Sequence, residues 1–248
     1  MIDCYLANLK IFLDGAELQQ IRNLSDSPLI SGFTTNPSLI KKSGIKDYED
    51  FARASLALLD RQNKSISFEV LADDFKNMEN QARAIASWGE NVYVKVPISN
   101  SKGEFSGPLI HRLSKEKIPL NITAVMTLEQ VNRVLDYLVP VNKTIISVFA
   151  GRIADTGIDP IPMMRSALEI IQSHKNIELL WASSRELLNV TQASEIGCHI
   201  ITLSHEMIKK FHLFGKNLEE YSVETVATFY KDAQEEGYTI KSLETEWV

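Results

Sequence analysis

Cysteine is scarce in this sequence of 248 residues: Cys4 and Cys198 stand far apart, in neither a metal-ligand spacing nor a disulfide framework. Both are expected to be packing residues of a chain kept in a reducing compartment. No stretch approaches the roughly 18 apolar residues of a membrane span. The start, MIDCYLANLK, lacks the charged-then-apolar order of a signal peptide. A cytoplasmic protein without membrane contact is therefore expected. Positive charge is also short, with 26 Lys plus Arg against 32 Asp plus Glu and a net charge of −6. With no dense basic stripe and no interleaving of basic and aromatic residues, nucleic acid is excluded as a partner. The histidines (His111, His174, His199, His205, His212) are scattered and late, so a barrel hydrolase with metal lacks its ligands. No G-x-G-x-x-G string is present for a dinucleotide. Neither a metal nor an organic cofactor is expected.

What the chain does have is order. Hydrophobic residues make up 44% and charged residues 23%, the balance of a folded globular chain. Short β-branched runs recur at 10–14, 30–35, 65–71, 91–97, 120–126, 144–151, 177–183 and 198–204. Between them lie segments with apolar residues at helical spacing, such as DYEDFARASLALLDR, FKNMENQARAIASWGE, TLEQVNRVLDYL and PMMRSALEIIQSH. Alternation of strand and helix implies parallel strands joined by right-handed crossovers. Eight such units fit an α/β fold of the (β/α)8 TIM barrel type, typically about 250 residues. An open doubly wound sheet is the runner-up. No Pro/Gly/Ser-rich linker interrupts the series, so residues 1–248 read as a single domain. The barrel occupies about 10–210, and an additional C-terminal helix lies in a tail at about 211–248.

Functional groups of such barrels sit at the C-terminal ends of the strands. The polar residues there are Asp14, Thr34, Thr35, Asn36, Glu69, Lys95, Asn121, Thr123, Ser147, Ser183 and Ser204. Lys95 is the sharpest of them, because it interrupts the apolar run VYVKVP, where an ammonium is costly to bury. An apolar pocket disfavours the cation, and a neutral amine can attack a carbonyl, which points to Schiff-base chemistry. The bland alternative is a lysine on an edge strand, or one merely paired with Glu69 or Asp14. Those two carboxylates repeat the oddity in SFEVL and IFLDG. Taken alone, Asp14 reads as a cap for the helix that follows it. Converging on Lys95, the two would serve as charge partners and proton carriers.

The strings TTNPSLI (34–40), YVKVP, FEV, NIT, SVFAGRI (147–153) and WASSRE (181–186) together resemble the transaldolase family, in its small form that includes fructose 6-phosphate aldolase. The resemblance runs from about residue 10 to 210. It implies that Lys95 on strand four is the Schiff-base lysine and that Asp14 handles the proton in carbon–carbon cleavage. It also implies that Glu69 and Thr123 hold a catalytic water. Asn36, Thr35, Asn121, Ser147, Phe149 and Ser183 would then contact substrate, with Arg152 and Arg185 gripping a sugar phosphate. Two guanidiniums suit a phosphate dianion, although exposed surface arginines are the plain alternative. Phe149 and Glu69 stand where the aldolase branch carries tyrosine and glutamine, which favours transaldolase chemistry.

Some features depart from the family pattern: Ala16 where many members have Thr or Ser, Ser184 where the family reads ASF, and a longer, polar loop ISNSKGEFSGP (98–108) after strand four. That loop is expected to lie over the active site and to change the sugar accepted. A role with a surface-polysaccharide precursor or a sulfosugar is then as compatible as the pentose phosphate pathway. The resemblance implies transfer of a three-carbon dihydroxyacetone unit from a ketose phosphate to an aldose phosphate, in a homo-oligomer whose partners are small sugar phosphates. A lyase that releases dihydroxyacetone is the second reading, and a non-catalytic sugar-phosphate-binding barrel the third.

Overall fold

β-Branched and aromatic residues pack well on a pleated surface, and in the computed structural model the runs rich in them become strands. The structure describes residues 6, 8–60, 62 and 64–240. The strands are β1 (Lys10–Asp14), β2 (Ile30–Thr34), β3 (Ser65–Glu69), β4 (Val92–Pro97), β5 (Leu120–Val125), β6 (Thr144–Val148), β7 (Ile177–Trp181) and β8 (Ile200–Ser204). Each pairs in parallel with the next, and β8 returns to β1 to close the barrel. The helices between them are α1 (Leu18–Ser25), α2 (Pro37–Lys42), α3 (Tyr48–Leu59), α4 (Phe75–Ala86), α5 (Gly107–Lys115), α6 (Leu128–Leu135), α7 (Ala150–Asp155), α8 (Pro160–Ile171) and α9 (Leu188–Glu195). After β8 come α10 (His205–Lys209), a 3₁₀ turn (Lys210–Leu213) and α11 (Leu218–Glu235). The chain is thus a (β/α)8 TIM barrel with the C-terminal helix present, and the doubly wound sheet is set aside.

Inside the barrel, Phe12, Ile145, Leu180, Ala182 and Ile200 form a buried cluster against which Tyr93 and Phe149 pack. The Phe12 ring fills space left by Gly32, where an added Cβ would lie 2.6 Å from the ring. Side-chain caps punctuate the loops. Asp47, Asp74 and Thr127 each accept from a backbone N–H in the first turn of α3, α4 and α6, worth about 1 kcal/mol apiece. Cys198 is buried, and burial pushes its thiol up to about 12, which leaves it inert as a nucleophile. Cys4 lies outside the described residues.

Several strands stop short of the apolar runs that announce them. β3 ends at Glu69 rather than at 71, and β7 at Trp181 rather than at 183. β6 ends at Val148, and Ala150 and Gly151 open α7 instead. The backbone leaves the ladder where it turns to form the mouth, while Val70, Ala150 and Ala182 just beyond the strand ends remain buried.

By their contacts, the described residues up to 210 form one compact unit and those from 211 to 240 another. In the second, Asn217 caps α11 by accepting from the Glu219 and Glu220 amides, and Val223, Val226, Phe229 and Tyr230 are each about two-thirds exposed. No helix among the described residues is long and apolar enough to cross a membrane.

Candidate active site

At the C-terminal ends of the strands lies a cavity of about 460 Å³ to which every strand or its following loop contributes. Register brings its centre together. Across β3, β4 and β5, Glu69 pairs with Lys95 and Lys95 with Asn121, so their side chains enter the barrel at one level. Lys95 is 5% exposed. Its Nζ lies 3.0 Å from Glu69 Oε2 and donates to the Thr35 carbonyl at 3.1 Å. The pocket around the lysine is therefore polar, not apolar as expected from the strand sequence, and carboxylate and carbonyl together compensate the buried ammonium. Glu69 also borders a smaller cavity of about 180 Å³ beneath Tyr48 and Trp88.

Asp14 faces the same centre. The Thr34 hydroxyl donates to its Oδ1 at 2.8 Å. Burial raises the Asp14 carboxyl above the usual range, opposed by the Lys95 charge and by the Thr34 hydrogen bond. Such a carboxyl exchanges its proton nearer neutrality than an exposed one. Asp14 does not cap α1: Glu17 occupies the N-cap position there, with no side-chain hydrogen bond.

Beneath the lysine runs a chain of buried hydrogen bonds. Ser147 Oγ donates to Asn121 Oδ1 at 2.6 Å, and Asn121 Nδ2 donates to Ser67 Oγ at 3.0 Å. Asn121 is fully buried and does not line the cavity, so it fixes the floor, whereas Ser147 reaches the cavity wall. Thr123 lines the cavity too, with its hydroxyl unpartnered. Asn36 lines the rim and caps α2, its Oδ1 accepting from Leu39 N at 3.0 Å. Pro37 follows it as the first residue of that helix. Phe149 and Arg152 share a wall, the guanidinium carbon 5.2 Å from the ring centroid.

Several expected contributors stand outside the cavity wall. Thr35 is fully buried and its side chain is not in the cavity wall; its carbonyl, through Lys95, is what it supplies. Its neighbour Thr34 faces the cavity, as alternation along a strand requires. Arg185 stands outside the wall. It is held by Asp155, with Nε 3.0 and 3.2 Å from the two carboxylate oxygens, and this pairing keeps the Asp155 carboxyl below its ordinary range. The loop 98–108 contributes no lining residue either. Ser101 binds the Asp73 carboxylate through both N–H (2.7 Å) and Oγ (2.6 Å), and Asn100 Oδ1 accepts the Lys102 and Glu104 amides, so the loop is anchored beside the mouth. Ser204 likewise caps α10 rather than facing the cavity.

Thr202, Tyr48 and Ser67 went unnoticed in the sequence. Thr202 and Ser67 carry the same signal as Lys95, a polar residue within an apolar strand. Tyr48 carries none. β2 stops pairing at Ser67, which leaves the N–H and C=O of Glu69 without a ladder partner. The Tyr48 hydroxyl replaces it, accepting from Glu69 N at 2.9 Å and donating to Glu69 O at 3.2 Å.

The mouth is also where the backbone is strained. Of the three described non-glycine residues with left-handed φ, Ala124 (60°) and Ser183 (66°) both line the cavity, at roughly 1–2 kcal/mol each. Ser183 is pressed against α7: a Cβ on Gly151 would lie 1.6 Å from the Ser183 carbonyl oxygen. Gly151→Ala is therefore expected to destabilise the fold by about 1–3 kcal/mol and to displace Ser183. Urea unfolding measures the first effect, and the chemical shift of the Ser183 amide the second.

The same barrel architecture recurs in solved structures. The structure of N-acetylneuraminate lyase from Mycoplasma synoviae superimposes with a TM-score of 0.52 over 92% of this chain and 82% of that one, at 10% identity. That likeness speaks for architecture alone. Sequence goes further: the profile of the Transaldolase/Fructose-6-phosphate aldolase family matches residues 11–246. A probable transaldolase of Dehalococcoides mccartyi is 33% identical over 201 residues, 81% of this chain and 88% of that protein. Probable transaldolase 2 of Listeria monocytogenes is 30% identical over 234 residues, 92% of this chain and 100% of that protein. This chain belongs to the transaldolase/fructose-6-phosphate aldolase family of enzymes.

Proposed function

We propose that the protein transfers a three-carbon dihydroxyacetone unit from a ketose phosphate to an aldose phosphate through a Schiff base on Lys95. The observation that carries this reading is the buried Lys95 amine, 3.0 Å from Glu69 and within the electrostatic reach of Asp14, in a cavity of sugar-phosphate size. Glu69 accepts a proton from the ammonium, and the free amine attacks the C2 carbonyl. Glu69 then returns a proton to the carbinolamine hydroxyl, which leaves as water and yields the iminium. That water rests between Glu69 and Thr123, whose free hydroxyl gives it a partner.

With the iminium as electron sink, Asp14 takes the C4 hydroxyl proton as the C3–C4 bond breaks, and an enamine remains on Lys95. An acceptor aldehyde adds to the enamine, Asp14 gives its proton to the new alkoxide, and water hydrolyses the imine. The Asn36 amide nitrogen, Ser147 and Ser183 meet substrate hydroxyls, while Arg152 faces the phosphate. Phe149 offers no hydroxyl beside the enamine, so its protonation and release as free dihydroxyacetone are slow relative to transfer.

Borohydride reduction in the presence of fructose 6-phosphate is expected to leave a three-carbon adduct on Lys95, located by peptide mass spectrometry. An unmodified Lys95 alongside full turnover would sink the reading. Glu69→Gln is expected to slow imine formation by about 10²-fold, seen as slower trapping of the adduct in single-turnover quench. Unchanged trapping kinetics would remove Glu69 from the proton path.

A further inference from the structure

A second cavity, about 800 Å³, lies at the opposite end of the barrel, among the N-terminal ends of β1, β4, β6, β7 and β8, and shares no residue with the mouth. Its charge is unlike that of the chain. Lys10 and Glu178 pair at 2.8 Å and neutralise one another. Lys143, Arg165 and Lys175 also border the cavity and form no ion pair among the described residues, against a single further lining acid, Glu169. The cavity therefore holds a local excess of two positive charges in a protein of net charge −6.

Its inner wall adds neutral donors. His199 Nδ1 accepts from the Leu179 amide at 3.1 Å, which puts the proton of the neutral ring on Nε2, and burial favours that neutral form. Tyr93, half-buried, borders the same cavity, and its hydroxyl has no hydrogen-bond partner among the described residues. Rim cations around uncharged N–H and O–H donors are the elements of an anion site. The excess of two charges matches a phosphate monoester dianion, and the volume lies within the about 300–1,000 Å³ range of small-molecule pockets.

We infer that this lower cavity binds a phosphorylated small molecule, gripped by Lys143, Arg165 and Lys175 and oriented by His199 and Tyr93. The inference is independent of the chemistry proposed for the mouth.

Equilibrium dialysis of the whole protein against radiolabelled inorganic phosphate tests it. Wild type is expected to bind two phosphates per chain, one at each end. The double variant Lys143→Ala, Arg165→Ala changes two exposed side chains and is expected to weaken one of the two sites at least about tenfold. Arg152→Ala is expected to remove the other. A single phosphate in wild type that survives the double substitution would overturn the lower site, as would two undiminished phosphates in the double variant. A phosphate lost with the double substitution but untouched by Arg152→Ala upholds the lower site and instead counts against the role given to Arg152.

Discussion

Replacing Lys95 with methionine is expected to lower transfer by on the order of 10⁴-fold or more, the scale at which enzymes fail without their nucleophile. No borohydride adduct should form. Methionine keeps most of the side-chain volume, so packing within β4 changes little, whereas electrostatics change a great deal. Glu69 and Asp14 lose the cation that faces both of them. Breaking a buried pair by removing one partner costs up to about 3–5 kcal/mol at neutral pH. Because the Asp14 carboxyl, which burial already raises, can escape the penalty by taking a proton, the loss should shrink as pH falls. Urea unfolding of Lys95→Met between pH 7 and pH 4 measures this as a narrowing gap to wild type. Transfer activity that persists in Lys95→Met would end the Schiff-base reading, and a stability gap that stays constant with pH would show that Asp14 is not coupled to the amine.

The parts of the site that were readable in the sequence share one physical origin. Parallel barrel strands are buried on both faces and run nearly uniformly apolar, so Lys95, Glu69, Asp14 and Ser147 stand out against their neighbours with no structure in hand. The unreadable parts depend on register or on long-range pairing. One residue of offset at the end of β2 exchanges Thr34 for Thr35 at the cavity wall, because alternate residues face opposite sides. Arg185 looks like a phosphate ligand until Asp155, thirty positions earlier, is found against it. The loop 98–108 looks like a lid until Asp73 is found holding Ser101. Tyr48 belongs to a helix whose apolar pattern gives no reason to expect its hydroxyl at the end of β3. It stands there because the β2–β3 ladder stops one step too early to satisfy Glu69. Strand chemistry is local and visible, while the partners that restrain or redirect it are not.

Asp14→Asn should separate function from stability in opposite directions. The proposed mechanism makes Asp14 the base for the C4 hydroxyl proton, so its loss is expected to slow bond cleavage by about 10²–10⁴-fold. Imine formation, which rests on Lys95 and Glu69, should continue, so borohydride would now trap the whole ketose on Lys95 in place of the three-carbon fragment. Stability should move the other way. Burial raises the Asp14 carboxyl in the folded protein, so between its ordinary value near 3.8 and the raised one the folded chain binds more protons than the unfolded chain. Wild-type stability therefore falls as pH rises through that window, and the cost of holding the ionised carboxylate remains at pH 7. Asparagine has no charge to bury and can still accept the Thr34 hydrogen bond. The variant should be the more stable protein at pH 7, with the difference vanishing below about pH 3.8, where both side chains are neutral. Matched urea titrations at pH 7 and pH 3.5 measure the effect. A variant less stable than wild type at pH 7 would mean that attraction to Lys95 outweighs the burial of Asp14, and the carboxyl would then be a structural counter-ion before it is a base. The expected order, a weaker enzyme in a firmer fold, is that of a carboxylate kept where it is costly because a proton must be handled there.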